Sequence, residues 1–187
     1  MSFQVDQSGA TAGGDVVGNN KYEQHFHPPA KPLGVVEQLL EKLQREMAND
    51  DHVRHTIEAL AHFQKQKSHD GVVGLEAKLN EANRQDEYRD AIEKKEIFAK
   101  LLDRWSMYAS AQEIFAYLLA KAEYEFTYVI HPQLPQITKV ATNELVRDRI
   151  IDPIIQECGS KVFTLNHMTV MGMIYWLAEQ CFVRWHP

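Results

Sequence analysis

The run from Ser110 to Ile130 constrains the chain more than any other. Ile114, Phe115, Tyr117, Leu118, Leu119, Phe126, Val129 and Ile130 cover more than one face of a helix, so a helix built from them has to be enclosed by neighbours. Lys121, Glu123 and Glu125 interrupt the run, which argues against a membrane span. Ser110 with Glu113 reads as a capping box at its start, and Pro132 and Pro135 as its stop. The expectation is a central helix that the rest of the chain surrounds.

The remainder supplies that jacket. Val36, Leu39, Leu40, Leu43 and Met47 recur at spacings of three and four, and Asp50 is placed as N-cap of a second helix with Val53, Ile57 and Leu60 inward, making a helical hairpin. Gly71 and Gly74 mark a loop, followed by a short turn around Leu75 to Leu79. A long helix then runs from about Asp86 to Trp105, supported by the acid-first pairs Asp90 with Lys94 and Glu96 with Lys100. Thr142 is read as the cap of a helix through Ile155, bent or restarted at Asp152 and Pro153. Thr164 is read as the cap of a last helix to Ala178, and Cys181 to Trp185 alternates as a short strand.

The expected fold is therefore all-α, a bundle of about six helices at 33–187, with a glycine- and proline-rich arm at 1–32 and the short C-terminal strand. In the arm, Gly9, Gly13, Gly14 and Gly18 punctuate two short strands, around Val16 and Val17 and around Tyr22 to Phe26. Two readings of it stay open. One has Val16, Val17, Tyr22 and Phe26 gaining burial by pairing with another chain, against an edge formed by the strand that carries Phe182 and Trp185, which makes the protein a homo-oligomer. The other is a disordered tail.

A net charge of −6 and a pI near 5.8 oppose a protein whose main work is neutralising phosphates. Lys42, Arg45, Arg54, Lys65 and Lys67 could contact a nucleic acid, but Glu41, Glu46, Asp50 and Asp51 dilute their field, and no direct high-affinity binding is expected. Two cysteines, Cys158 and Cys181, are too few for a disulfide framework and read as small buried hydrophobes. The start of the sequence has neither a basic nor an apolar leader, and the expected location is the cytoplasm.

Nine histidines bring a metal site into consideration. His52, His55 and His62 are placed on one helix. His62 falls about two turns from His55, too far to share an ion, which leaves His52 and His55 as weak metal candidates with a third ligand unspecified. The opposing reading is exposed or capping histidines beside an apolar stripe. Asp70 with Glu76 and Lys78, and Asp90 with Glu93 and Lys95, mimic the acid and ExK elements of metal-dependent nucleases, yet both fall in helical sequence where such pairs decorate solvated faces. The glycines from Gly13 to Gly18 lack the flanking strand and helix of a phosphate-binding loop. Met168, Met171 and Met173 read as core fillers or as an adaptable partner surface. No catalytic residue and no cofactor is indicated.

Several segments resemble a known family. GGDVVGNNKY in the arm, GLEAKL at Gly74 to Leu79, SAQEIFAYLLAK at Ser110 to Lys121, RIIDPIIQECG at Arg149 to Gly159 and GMIYWLAEQCFVRWH at Gly172 to His186 resemble the C-terminal domain of bacterial ABC-three-component systems, the group that includes Lamassu-type antiphage defence. The resemblance runs from about Gly13 to the end. It implies an SMC-like or Rad50-like ABC ATPase and a small middle component as partners, with an effector domain ahead of the helical module. The chain opens on the arm instead, implying a stand-alone version or an isolated module. The implied role is non-enzymatic: assembly or regulation, docking to the ATPase and self-association. The enzyme-class alternative is a small metal-dependent hydrolase using His52, His55 and one of Asp51, Glu76 or Glu93.

Overall fold

The computed structural model describes residues 34–67, 71–158, 162, 163 and 165–187. They lie within one compact unit, 33–187. The helices are α1 (Val35–Asn49), α2 (Glu58–Gln64), α3 (Gly74–Glu81), α4 (Tyr88–Trp105), α5 (Ala109–Tyr124), α6 (Lys139–Val146), α7 (Asp152–Cys158) and α8 (His167–Glu179). No strand occurs among the described residues, so the all-α reading stands for them. Val16, Val17, Tyr22 and Phe26 of the arm, together with Thr164, lie outside the described residues.

Enclosure of the central run follows the amino-acid pattern. Ile114, Phe115, Leu118, Leu119, Phe126 and Ile130 are buried, as are Ala111, Ala116 and Ala122 between them. α8 is wrapped as completely: every residue from Gly172 to Ala178 is buried. A helix that is apolar on all sides can satisfy itself only by contact all round, so α5 and α8 share the interior while α4 lies along α8. Phe98 of α4 meets Trp176 of α8 at 5.9 Å and Phe115 of α5 at 6.0 Å between ring centroids. α1 covers α5 through Val36 and Leu43, whereas Met47, the last residue of the expected stripe, is exposed.

The chain is divided more finely than the sequence suggests. Pro132 and Pro135 do not stop the central run at once; α5 continues as a π-helical stretch, Glu125–Ile130, and then as 3-10 turns, His131–Gln136. A proline costs little where the helical bonding is already changing. The helix expected across 142–155 is α6 and α7, joined by a second π-helical stretch, Arg147–Ile151, with Pro153 in the first turn of the restarted helix. Leu75 to Leu79 belongs to the helix α3 and is not merely a turn.

Most expected caps are displaced. Asp50 closes α1 in a left-handed conformation (φ 57°) and does not start α2; His52 and His55 therefore sit in the irregular link between the two. Thr138 caps α6, its hydroxyl accepting from the N–H of Ala141 at 3.2 Å, while Thr142 lies inside the helix and bonds back to the carbonyl of Thr138. Asn166 caps α8 in a reciprocal pair with Thr169. The expected C-terminal strand is absent: Cys181 has φ 64°, and the N–H groups of Cys181 and Phe182 return to the carbonyls of Ala178 and Leu177 at 3.1 and 2.9 Å. That bonding ends a helix with a left-handed residue, and such a residue cannot continue an extended strand.

Close approach of α4 and α8 depends on one glycine. A Cβ built on Gly172 would stand 2.0 Å from the carbonyl oxygen of Lys94, backbone that cannot swing aside. Gly172→Ala is expected to force the two helices apart and to lower stability by about 3 kcal/mol or more, measured as a reduced denaturation midpoint with the slope unchanged.

Candidate functional site

The polar groups of this unit converge on the end of α8 and the eight residues after it. Lys78 of α3 is 1% exposed. Its Nζ donates to the carbonyl of Ala178 at 2.8 Å and lies 2.9 Å from Sγ of Cys181. A lysine amino group is buried only where it is partnered, and here one partner is a terminal helix carbonyl, that of Ala178, which accepts from the N–H of Cys181 as well. In return α8 caps α3. Gly74 enters α3 at φ 83°, and the N–H of Leu75 donates to Oε2 of Glu179 at 2.8 Å, with Nζ of Lys95 3.9 Å from the same oxygen. Each helix thus satisfies an end of the other.

A second anchor lies one turn further on. Asn83 ends α3 at φ 54°, and the N–H of Arg84 returns to the carbonyl of Leu79 at 2.7 Å. This places the Arg84 guanidinium, 3% exposed, against both carboxylate oxygens of Glu87 at 3.0 Å, Oδ1 of Asn143 at 2.9 Å and the carbonyl of Lys139 at 3.3 Å. Its other side lies 5.0 Å from the Trp185 ring. Trp185 is also set between Phe126 and Tyr175, at 5.0 and 5.7 Å.

Between these anchors the C-terminal segment and the π-helical stretch enclose a cleft of about 370 Å³, lined by Glu123, Phe126, Thr127, His131, Cys181, Phe182 and Arg184. Nζ of Lys67 lies 3.5 Å from Glu123 and 4.0 Å above the Phe182 ring, and Nε2 of His131 is 3.1 Å from the carbonyl of His186. The cleft therefore gathers a carboxylate, an imidazole, a guanidinium and a thiol, the last held next to the amino group of Lys78.

The residues singled out in the sequence fall elsewhere or are spent otherwise. His52 lies 3.4 Å from the hydroxyl of Tyr108 and 3.3 Å from Asp50. His55 contributes its backbone carbonyl to Gln112, and His62 stacks edge-on against Phe63 and Phe182. The helix expected to carry all three histidines does not form, since His52 and His55 precede α2. Among the described residues no group of three or more His, Cys, Asp or Glu side chains comes together as could hold a metal ion. Glu76 is exposed while Lys78 points inward, and Lys95 is turned to Glu179, so neither ExK element presents its lysine beside paired carboxylates. Phe182 and Trp185, expected at a contact between chains, are 6% and 2% exposed and pack against rings of their own chain. Met173 is core while Met168 is exposed. Sequence reasoning missed Lys78 and Arg84 as anchors. For Lys78 the available sign was a basic residue three after Leu75, where the helical period asks for an apolar one; Arg84 lies between helices and had no such sign.

Both cysteines are buried, as their pattern suggested. Burial, helped by the Glu157 carboxylate, pushes the Cys158 thiol up to about 12 against the pull of Lys121. Tyr117 is raised as well, chiefly because its hydroxyl donates to Glu157, and Tyr175 is raised by burial. Thiolate is the reactive form, so Cys158 is expected to resist iodoacetamide in the native protein at pH 7 to 9 and to react once urea unfolds the chain; peptide mass mapping reads the difference.

Architecture and site together define an all-α module whose helix ends are stitched to one another around a C-terminal clasp. A family model described as C-terminal domain 9 of the ABC-three component systems matches residues 74–185, and the chain belongs to that family. The match opens on Gly74 and closes on Trp185, so both halves of the clasp fall inside it. No curated protein and no solved structure matches the chain. Among the described residues no helix is long and apolar enough to cross a membrane.

Proposed function

We propose that this chain is a non-enzymatic assembly or regulatory component of a bacterial antiphage defence complex of the Lamassu-like kind. It works in the cytoplasm, docks to an SMC- or Rad50-like ABC ATPase together with a small middle component, and self-associates. The observation that carries this reading is the family match, which spans most of the helical body and names a domain of a multi-component system.

An exposed aromatic face suits the docking. Tyr117, Tyr124 and Tyr128 follow one another along α5 and its π-helical continuation, the last two 59% and 68% exposed with ring centroids 5.0 Å apart. Tyr117 and Lys121 are both tied to Glu157 of α7, which keeps the face rigid. Tyrosine supplies large contact area with few rotors to freeze, and a chain of charge −6 favours a partner groove that is apolar with a basic rim.

Two measurements follow. In co-expression with the ATPase subunit from the same operon, the wild-type chain is expected to co-purify with it. Tyr124→Ala with Tyr128→Ala should lower the recovered ATPase at least tenfold while the melting temperature of the isolated chain stays unchanged. Recovery of the chain from an operon that encodes no ATPase would sink the docking reading. Self-association is assigned to the arm: removal of residues 1–27 should leave the helical body folded and lower its mass by light scattering. An unchanged mass would overturn that assignment.

A further inference from the structure

We infer that Lys78 and Cys181 form an oxidant-driven covalent cross-link, a redox-sensitive staple between α3 and the C-terminal segment. Nζ of Lys78 lies 2.9 Å from Sγ of Cys181, and its bond to the carbonyl of Ala178 at 2.8 Å holds it there. Lys78 and Cys181 are 1% and 5% exposed, so little water competes for the sulfur. Yet Cys181 lines the cleft of about 370 Å³, several times the roughly 30 Å³ that one water occupies in the liquid. A peroxide in that cleft therefore lies against Cys181.

The chemistry balances with one peroxide. The sulfur attacks one peroxide oxygen and the O–O bond breaks, leaving a sulfenic acid on Cys181 and releasing water. A sulfenic acid condenses with a nearby nitrogen. The lone pair of Nζ, in its amine form, attacks the sulfur, an N–S bond forms, the S–O bond breaks, and hydroxide departs with a proton from Nζ as a second water. Sulfur loses two electrons and peroxide gains them. The product joins positions 103 residues apart, which restricts the unfolded chain as a long disulfide loop does.

Peroxide treatment of the full chain followed by mass spectrometry tests this. The expected result is a loss of about 2 Da, together with a peptide pair linking Lys78 to Cys181 that dithiothreitol releases. The melting temperature should rise by roughly 5 to 10 °C on oxidation. Cys158→Ser should keep the linked pair, which separates it from a disulfide between the two cysteines, whereas Lys78→Arg and Cys181→Ser should abolish it. Should Lys78→Arg fail to fold, peptide mapping of the wild-type chain still decides. Cys181 found only as sulfenic, sulfinic or disulfide species, with no peptide joined to Lys78, overturns the proposal.

Discussion

The reciprocal capping of α3 and α8 is the interaction on which the rest of the structure depends. α8 is buried all round, and the carbonyls at the end of such a helix have no water to turn to. Lys78 supplies one donor, and the left-handed turn at Cys181 returns two backbone N–H groups to Leu177 and Ala178. Glu179, at the last turn of the same helix, accepts from the first turn of α3. An unmade bond in this interior costs about 1 to 3 kcal/mol, so the register of α3 against α8 is held by polar geometry as well as by apolar packing. Leu75 and Leu79, both fully buried, flank Lys78 on the inner side of α3 and supply the apolar share.

The same device recurs across the molecule. The start of α5 is capped by α1: the N–H and hydroxyl of Ser110 both donate to Glu46, at 3.1 and 2.7 Å. The link before α2 is held by α5, where buried Gln112 accepts from the N–H of Ile57 at 2.7 Å and donates to the carbonyls of His55 and Ser106. Arg84 joins the end of α3 to α6 through Asn143 and Lys139. Short helices such as α2, α3 and α7 are too brief to persist on their own, and these side chains fix them in place from a neighbouring element.

This explains what was legible in the sequence and what was not. Periodicity reports burial, so the central run, the apolar side of α4 and the richness of α8 could be read directly from Ile114, Phe98 and Ile174. Capping was read by local rules, which look for an acceptor at the helix start and a partner three residues on. Those rules work where the cap is local, as at Asn166 and Thr169, although Thr164 was the expected residue. They fail where a partner comes from far along the chain: Ser110 is bonded to Glu46 and not to Glu113, which instead pairs with Lys42 at 3.0 Å. The strand expectation at Cys181 to Trp185 failed for a related reason. Burial there does not alternate: Cys181, Phe182 and Val183 are buried in succession and Trp185 after them, because Phe182 folds back onto Phe63 of α2 and Trp185 onto Tyr175 of α8 and Phe126 of the π-helical stretch, with no ladder involved.

The central helix has two ends of different character. At its start α5 is tied by Ser110 and Gln112 into α1 and the link before α2, deep in the unit. At its far end the bonding loosens into π-helical turns, where Phe126 and Ile130 still face the core but Tyr124 and Tyr128 face solvent. A π-helical stretch widens the turn and shifts the phase of the side chains that follow. Residues four apart share a helix face, so Tyr128 lies beside Tyr124 on the outside while Phe126 meets Trp185 of the C-terminal segment on the inside. The exposed aromatic pair and the clasped C-terminal segment are therefore opposite sides of one short element, joined on the inner side by the contact of Phe126 with Trp185.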